Sequence, residues 1–384
     1  MRPIIFLSVF FSLILVLHGY IGIRLLSDLP IGFSGHLAGI VLLIISSLLI
    51  PLGMLARFIK RQPLSDILAW VGLLAMGLFS SLLVLTFLRD VLLVVMSLFS
   101  KILPTHVIVA FPVWSAACVP VLALVVTLIG FINARARASV VHIDIPIAQL
   151  PEDLHGFTIV QISDIHVGPT IKRNYLQAII EKVNSLNADL IAITGDMVDG
   201  NVETLAQHTA GLADLRARHG SYFVTGNHEY YSGAHAWITE FRRLGLNVLM
   251  NEHVVLMHDN AEIVIAGVTD YSAHQFDPSH RSDPIGALHG APDSANTRIL
   301  LAHQPRSATL ASSAGFDLQL SGHTHGGQFW PWNLFVPLQQ PFTAGLNRLE
   351  NLWVYTSRGT GYWGPPKRFG APSEITKIRL VPAA

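Results

Sequence analysis

The chain has 384 residues, of which 51% are hydrophobic and only 13% charged, where soluble globular chains are nearer a quarter charged. Its mean hydropathy of +0.48 predicts that part of it sits in lipid, and its zero formal net charge excludes a general attraction to nucleic acid. A single cysteine, Cys118, excludes an intrachain disulfide and leaves the redox compartment open.

The apolarity is concentrated at the start. Up to Ile132 there are ten charged residues, and between them lie apolar runs at about 4–26, 37–59, 67–88 and 107–132. Each reaches the roughly 20 residues that cross a hydrocarbon core of about 30 Å as a helix, so four transmembrane helices are expected. The shorter piece 91–103 extends the third helix, lies at the interface, or belongs to a fifth span. The first run is too long for the apolar part of a signal peptide and has no convincing small-x-small cleavage site, so it reads as a retained helix. With four spans, Arg2, Arg57, Lys60, Arg61, Arg135 and Arg137 fall on one side, and Arg24, Arg89 and Lys101 on the other. Positive charge collects on the cytoplasmic side, which is where the remainder of the chain is expected.

From about Val141 the texture changes to polar turns, prolines and most of the charge. The division expected is a membrane region, 1–137, and a catalytic-sized domain, 138–384. In the second part, "FTIVQIS" (157–163), "DLIAIT" (189–194) and "SYFVTG" (221–226) read as strands, each followed by a helical stretch, at 174–186, 202–217 and 233–244. Then come "EIVIAGV" (262–268), "RILLAH" (298–303), "DLQLSG" (317–322), "LWVYTS" (352–357) and "EITKIRL" (374–380). Strands alternating with helices, then strands in succession, predict a layered α/β sandwich with mixed sheets.

Such folds present ligands at the C-terminal tips of buried strands. The first strand runs into Asp164 and His166, the second into Asp196 and Asp199, and the third into Asn227 and His228. "RILLAH" ends in His303, and "DLQLSG" runs into "SGHTHGG", with His323 and His325 among glycines. A His-x-His pair alone is more often a polar turn. Five strand ends in order releasing Asp, His or Asn beside small residues are not expected of a structural loop set.

This order, D-x-H, G-D-x-x-D, G-N-H-E, H and G-H-x-H, resembles the calcineurin-like metallophosphoesterase family over most of 157–327. The membrane-anchored arrangement looks like the bacterial branch similar to UDP-2,3-diacylglucosamine pyrophosphatases, as does "SRGTGYWGPPKRFGAPSEI" (357–375). The resemblance implies a four-layer α/β/β/α sandwich, preceded here by the helical membrane region, with two metal ions at the strand tips. It implies Asp164, His166 and His325 at one ion, Asn227, His303 and His323 at the other, and Asp196 as the bridge, since ions about 3.5–4 Å apart need an anion touching both. Mixed nitrogen and oxygen donors suit Mn, Fe, Zn, Co or Ni. His323 and His325 can serve different ions only if the segment bends sharply, which glycines 322, 326 and 327 permit.

The resemblance gives His228 a proton-transfer role, protonating the leaving oxygen during metal-assisted hydrolysis, with Asp199 orienting its ring. Arg358 and Arg368 read as structural rather than phosphate clamps, Glu229 as a hydrogen-bonding group, and the histidines outside the motifs (His208, His219, His235, His253, His258, His274, His280 and His289) as surface or structural. Trp330, Trp332 and Trp363 flank the mouth, and core packing is the expectation for them. Asp199 is followed by Gly200-Asn201 rather than the Arg-Gly of protein phosphatases, and no basic run suggests a nuclease. The expected function is a membrane-anchored hydrolase of a phosphodiester or pyrophosphate bond. Its substrate would be a nucleotide-linked lipid in the bacterial inner membrane. The other classes are a receptor or transporter whose domain only binds a nucleotide, and a protein phosphatase. The expected partners are the lipid bilayer and the phosphate ester, with no nucleic acid.

Overall fold

The structure, a computed structural model, describes residues 3–59, 61–295 and 297–383; Arg2 and Lys60, two charges used to orient the spans, lie outside the described residues. The chain divides into two compact units, 1–132 with 364–367, and 133–363 with 368–384.

The first unit is helical. It holds α1 (Pro3–Leu26), α2 (Gly32–Leu55), α3 (Leu64–Leu98) and α4 (Thr105–Arg135), whose last turn belongs to the second unit. All four are long and apolar enough to cross a membrane, and a helix keeps every backbone polar group bonded within its own segment in lipid. Residues 91–98 continue α3, so among the described residues there is no fifth span. Gly53 of α2 meets Gly72 of α3, where an added Cβ would stand 2.6 Å from the Gly72 Cα; small residues let apolar helices approach this closely. Arg24, Arg89 and Asp90, within the spans, are paired. Buried Arg89 donates to the Asp28 carboxylate, to the Arg24 carbonyl (2.8 Å) and to Ser115 Oγ (2.9 Å), while Arg24 pairs with Asp90 at 2.9 Å. In the same unit Lys367 donates to the Gly77 carbonyl at 3.2 Å and to Ser81 Oγ at 2.5 Å.

The second unit contains β1 (Ser139–Ile147), β2 (Thr158–Ile162), α5 (Arg173–Asn184), β3 (Leu190–Ile193), α6 (Val202–Thr209), β4 (Ser221–Phe223), α7 (Asn227–Ser232) and α8 (Ala234–Arg243). There follow β5 (Asn247–Val248), β6 (Glu252–His258), β7 (Ala261–Gly267), β8 (Arg298–Leu301), α9 (Ala308–Ala314), β9 (Leu318–Ser321), β10 (Gly345–Leu349), β11 (Leu352–Thr356) and β12 (Glu374–Pro382). Two six-stranded sheets form, in orders β1-β12-β2-β3-β4-β5 and β10-β11-β9-β8-β7-β6. The central strands of each are parallel and buried, which is why β3 reads as an unbroken apolar run, "LIAI". One apolar core, with Ile159, Leu190, Ile265 and Leu320, lies between the sheets. A second packs α5, α6 and α8 on one outer face, and a third packs α9 on the other. This is the expected α/β/β/α sandwich. The helix expected at 202–217 stops at Thr209 and becomes a 3₁₀ turn, Ala210–Asp214.

Candidate metal centre

The tips of β2, β3, β4, β8 and β9 converge, and every residue anticipated at those tips arrives there. Asp164, His166 and His325 place one donor atom each within 4.8 Å of one another, and so do Asp196, His303 and His323. Asp196 joins the two groups: its Oδ2 lies 3.1 Å from His303 Nε2 and 4.0 Å from both His166 Nε2 and His228 Nε2. The "SGHTHGG" segment bends as its glycines allow, with φ of 70° at His323, 52° at His325, 60° at Gly326 and 79° at Gly327. One histidine therefore joins each group.

Backbone bonds fix this geometry. Asp164 N donates to the Gly195 carbonyl (3.0 Å), His166 N to the Asp196 carbonyl (3.1 Å) and His323 N to Asp164 Oδ1 (3.0 Å). Asp164, His166 and Asp196 have φ of 54°, 57° and 54°, a left-handed backbone uncommon for residues other than glycine and concentrated at functional sites. Two glycines make the closeness possible. A Cβ on Gly226 would fall 2.1 Å from Asp196 Oδ1, and one on Gly322 would fall 2.0 Å from Ser163 Oγ and 2.2 Å from Asp164 Oδ2.

The residues fit a pair of cations. His166 Nε2 and His325 Nε2 face each other at 3.1 Å, and His323 Nδ1 faces His303 Nε2 at 3.2 Å. Asn227 Oδ1 is buried with no hydrogen-bond partner, although buried polar atoms are rarely left without one. Burial pushes the Asp164 carboxyl up. It acts the same way on Asp196, but His303, His228 and His166 outweigh it and hold that carboxyl well below the usual range. Burial and the neighbouring His303 lower His323 to about 3, and burial and Arg368 push His325 down; neutral imidazole is the form that ligates metal. His303 Nδ1 donates to the Thr194 carbonyl at 2.7 Å, which aims Nε2 at Asp196, 3.1 Å away. Burial opposes a charge on this ring, but Asp196 outweighs it and raises the imidazole pKa well above its ordinary value, so an ion bound there would take the place of a proton.

Residues 157–327 match the family model of the calcineurin-like phosphoesterases. An uncharacterized metallophosphoesterase of Aquifex aeolicus is 32% identical over 224 residues, 58% of this chain and 84% of that protein. The chain belongs to the calcineurin-like metallophosphoesterase family. A transmembrane protein with metallophosphoesterase domain from Danio rerio is 41% identical over 275 residues, 68% of this chain and 63% of that protein. An uncharacterized metallophosphoesterase of Helicobacter pylori is 38% identical over 258 residues, 66% of each. The match thus spans just under two thirds of these two relatives' length.

Around the metallophosphoesterase motifs, several partners were not legible in the residue order. Asp199 Oδ1 lies 2.5 Å from His228 Nδ1, the pairing the resemblance implies, and also 3.2 Å from His166 Nδ1, a contact it does not. Glu229 is buried and accepts from the backbone N–H of Asp196 (2.9 Å), Met197 (2.8 Å) and Gly226 (2.7 Å), tying the β3 tip to the β4 tip. Arg368 is fully buried, donates to the carbonyls of Gly361 (2.9 Å) and Arg358 (2.6 Å), and places Nη2 3.0 Å from His325 Nδ1. Arg358 pairs with Glu374 at 2.8 Å. The expectation that the mouth tryptophans pack in the core is overturned. Trp363 is 54% exposed with its ring 5.6 Å from that of His228, and Trp330 and Trp332 are 43% and 41% exposed. The Pro and Gly around them hold these rings on turns outside the sheets.

Proposed function

We propose that this protein is a membrane-integral phosphoesterase that uses two divalent metal ions to hydrolyse a phosphodiester or pyrophosphate bond. The observation that carries the reading is Asp196 Oδ2 lying between two three-residue donor groups with His228 beside it. Asp164, His166 and His325 would hold one ion, Asn227, His303 and His323 the other, and Asp196 both. The ions would neutralise the phosphoryl oxygens and make water nucleophilic at neutral pH; manganese, iron, zinc, cobalt and nickel all suit the donors.

The chain's own part is orientation and proton transfer. His228 starts α7, its N–H donates to Asp196 Oδ1 at 2.8 Å, and Asp199 takes its Nδ1. Burial opposes its charge, yet Asp196 and Asp199 lift its pKa to about 9. In this reading His228, held by Asp199, is the acid whose Nε2 protonates the departing oxygen.

A lipid-linked substrate, such as UDP-2,3-diacylglucosamine, is the reading favoured for the substrate. Trp363 and Tyr231, both more than half exposed, flank His228, and the nearby turns expose Leu334, Phe335 and Leu338. Aromatic and apolar side chains of this kind suit the boundary between headgroup and hydrocarbon. The domain is assigned to the cytoplasmic side of a bacterial cell membrane on the arginine and lysine distribution. Purified full-length protein loaded with manganese and offered a simple diester, a monoester, a phosphopeptide and UDP-diacylglucosamine tests the reading. The lipid nucleotide and the diester are expected to be cleaved faster than the monoester, and preference for the phosphopeptide would overturn it. Reporter fusions after Arg137 that are active only outside the cytoplasm would reverse the orientation.

A further inference from the structure

Away from the centre, three residues make a second kind of polar cluster that shares no side chain with it. His235 sits in the first turn of α8, and Asp277 and His280 flank the short turn Pro278–His280. Asp277 Oδ2 lies 3.0 Å from His235 Nε2 and 3.9 Å from His280 Nε2, and one donor atom from each residue falls within 4.8 Å of the others. The imidazole rings stand 4.9 Å apart, both turned toward one carboxylate oxygen.

The orientation is fixed from behind at two of the three. Asp277 Oδ1 accepts from Ser279 N (2.9 Å) and Ser279 Oγ (2.6 Å), which leaves Oδ2 to face the histidines. His280 Nδ1 lies 2.9 Å from the Tyr230 hydroxyl, and a metal-binding histidine usually spends its other nitrogen on such an oxygen, which sets the ring and its tautomer. The protonation states agree. The Ser279 bonds hold the Asp277 carboxyl below its ordinary value, and burial lowers His280, giving a carboxylate and a neutral imidazole, the ligand forms. His235 is 73% exposed at its side chain, so a fourth position opens to water.

We propose that His235, Asp277 and His280 bind a third divalent ion of the zinc type, separate from the dinuclear centre. Two imidazoles, one carboxylate and an open position make a donor set for zinc or its first-row neighbours and a poor one for calcium or magnesium. The ion staples the 273–280 segment to α8 and, through Tyr230, to α7, which begins with Asn227 and His228. Its effect is therefore on the stability of that corner rather than on bond cleavage directly.

The test uses full-length protein in detergent, stripped by a chelator, re-equilibrated in buffered zinc, and measured for bound metal and unfolding temperature. Asp277→Asn and His280→Ala should each hold one zinc fewer than the unaltered chain, and His235→Ala should bind that zinc at least about tenfold more weakly, the scale on which lost support of a metal site registers. In an Asp196→Asn background, zinc should still raise the unfolding temperature, and adding Asp277→Asn should make that rise smaller. Zinc content in all three variants equal to that of the unaltered chain, or an unfolding temperature that zinc does not move in the Asp196→Asn background, would overturn the proposal. Retention of all metal by Asp196→Asn itself would bear on the dinuclear reading instead, so the two fail separately.

Discussion

Asp199 holds His228 through a single carboxylate oxygen, Oδ1, at 2.5 Å from Nδ1, and that same oxygen reaches His166 at 3.2 Å. One group thus orients both the proposed proton donor and a residue of the proposed metal set. Asp199→Asn is expected to slow turnover and also to weaken metal binding by about 10- to 100-fold, the range for loss of a partner behind a ligating histidine. Metal content at limiting ion concentration, measured beside kcat, checks this. A variant with impaired turnover and unchanged metal affinity would confine Asp199 to His228 alone.

Replacing His228 by alanine separates proton transfer from metal binding. The rate should fall by about 10²–10⁴, with metal content near that of the unaltered protein. The loss should shrink for a nitrophenolate leaving group, which needs little protonation. Equal losses on good and poor leaving groups would show that His228 is not the acid.

Asp196→Asn removes the carboxylate proposed to bridge the two ions. At least one ion should be lost and activity should drop close to background, as read by metal analysis and by turnover on a simple diester. A variant that keeps both ions would rule out the bridging role.

Asn227 offers a sharper contrast, because its Oδ1 has no hydrogen bond to lose. Asn227→Ala should cost metal affinity while the chelator-stripped protein unfolds within a few degrees of the unaltered one. Glu229→Gln is the opposite case. Its carboxylate accepts three backbone N–H groups, and an amide would turn a donor toward one of them, at a cost of about 1–3 kcal/mol. Denaturant unfolding of the stripped proteins distinguishes the two.

The centre was largely legible because its chemistry is local in sequence. Each donor directly follows a short apolar run, so finding the strands β2, β3, β4, β8 and β9 also found Asp164, Asp196, Asn227, His303 and His323. What stayed hidden depends on pairings between distant segments. Arg368 reaches His325 across 43 residues and Asp199 reaches His166 across 33, and nothing in either local stretch announces its partner. Edge strands were missed for a related reason. In β1, "SVVHIDIPI" mixes polar and apolar residues, and it is a strand because β12 lies beside it in register. The exposed tryptophans were misplaced because an aromatic side chain carries the same apolar signal in a core as on a turn.

Five of the seven residues placed to hold metal, Asp164, His166, Asp196, His323 and His325, have left-handed backbones. Such conformations cost about 1–3 kcal/mol each, and here backbone hydrogen bonds and close-set glycines help to hold them. The positions of these donors are therefore set by the backbone as well as by their side chains. Mixed nitrogen and oxygen donors do little to choose among similar first-row ions, so the ions bound should follow whatever the surrounding medium supplies.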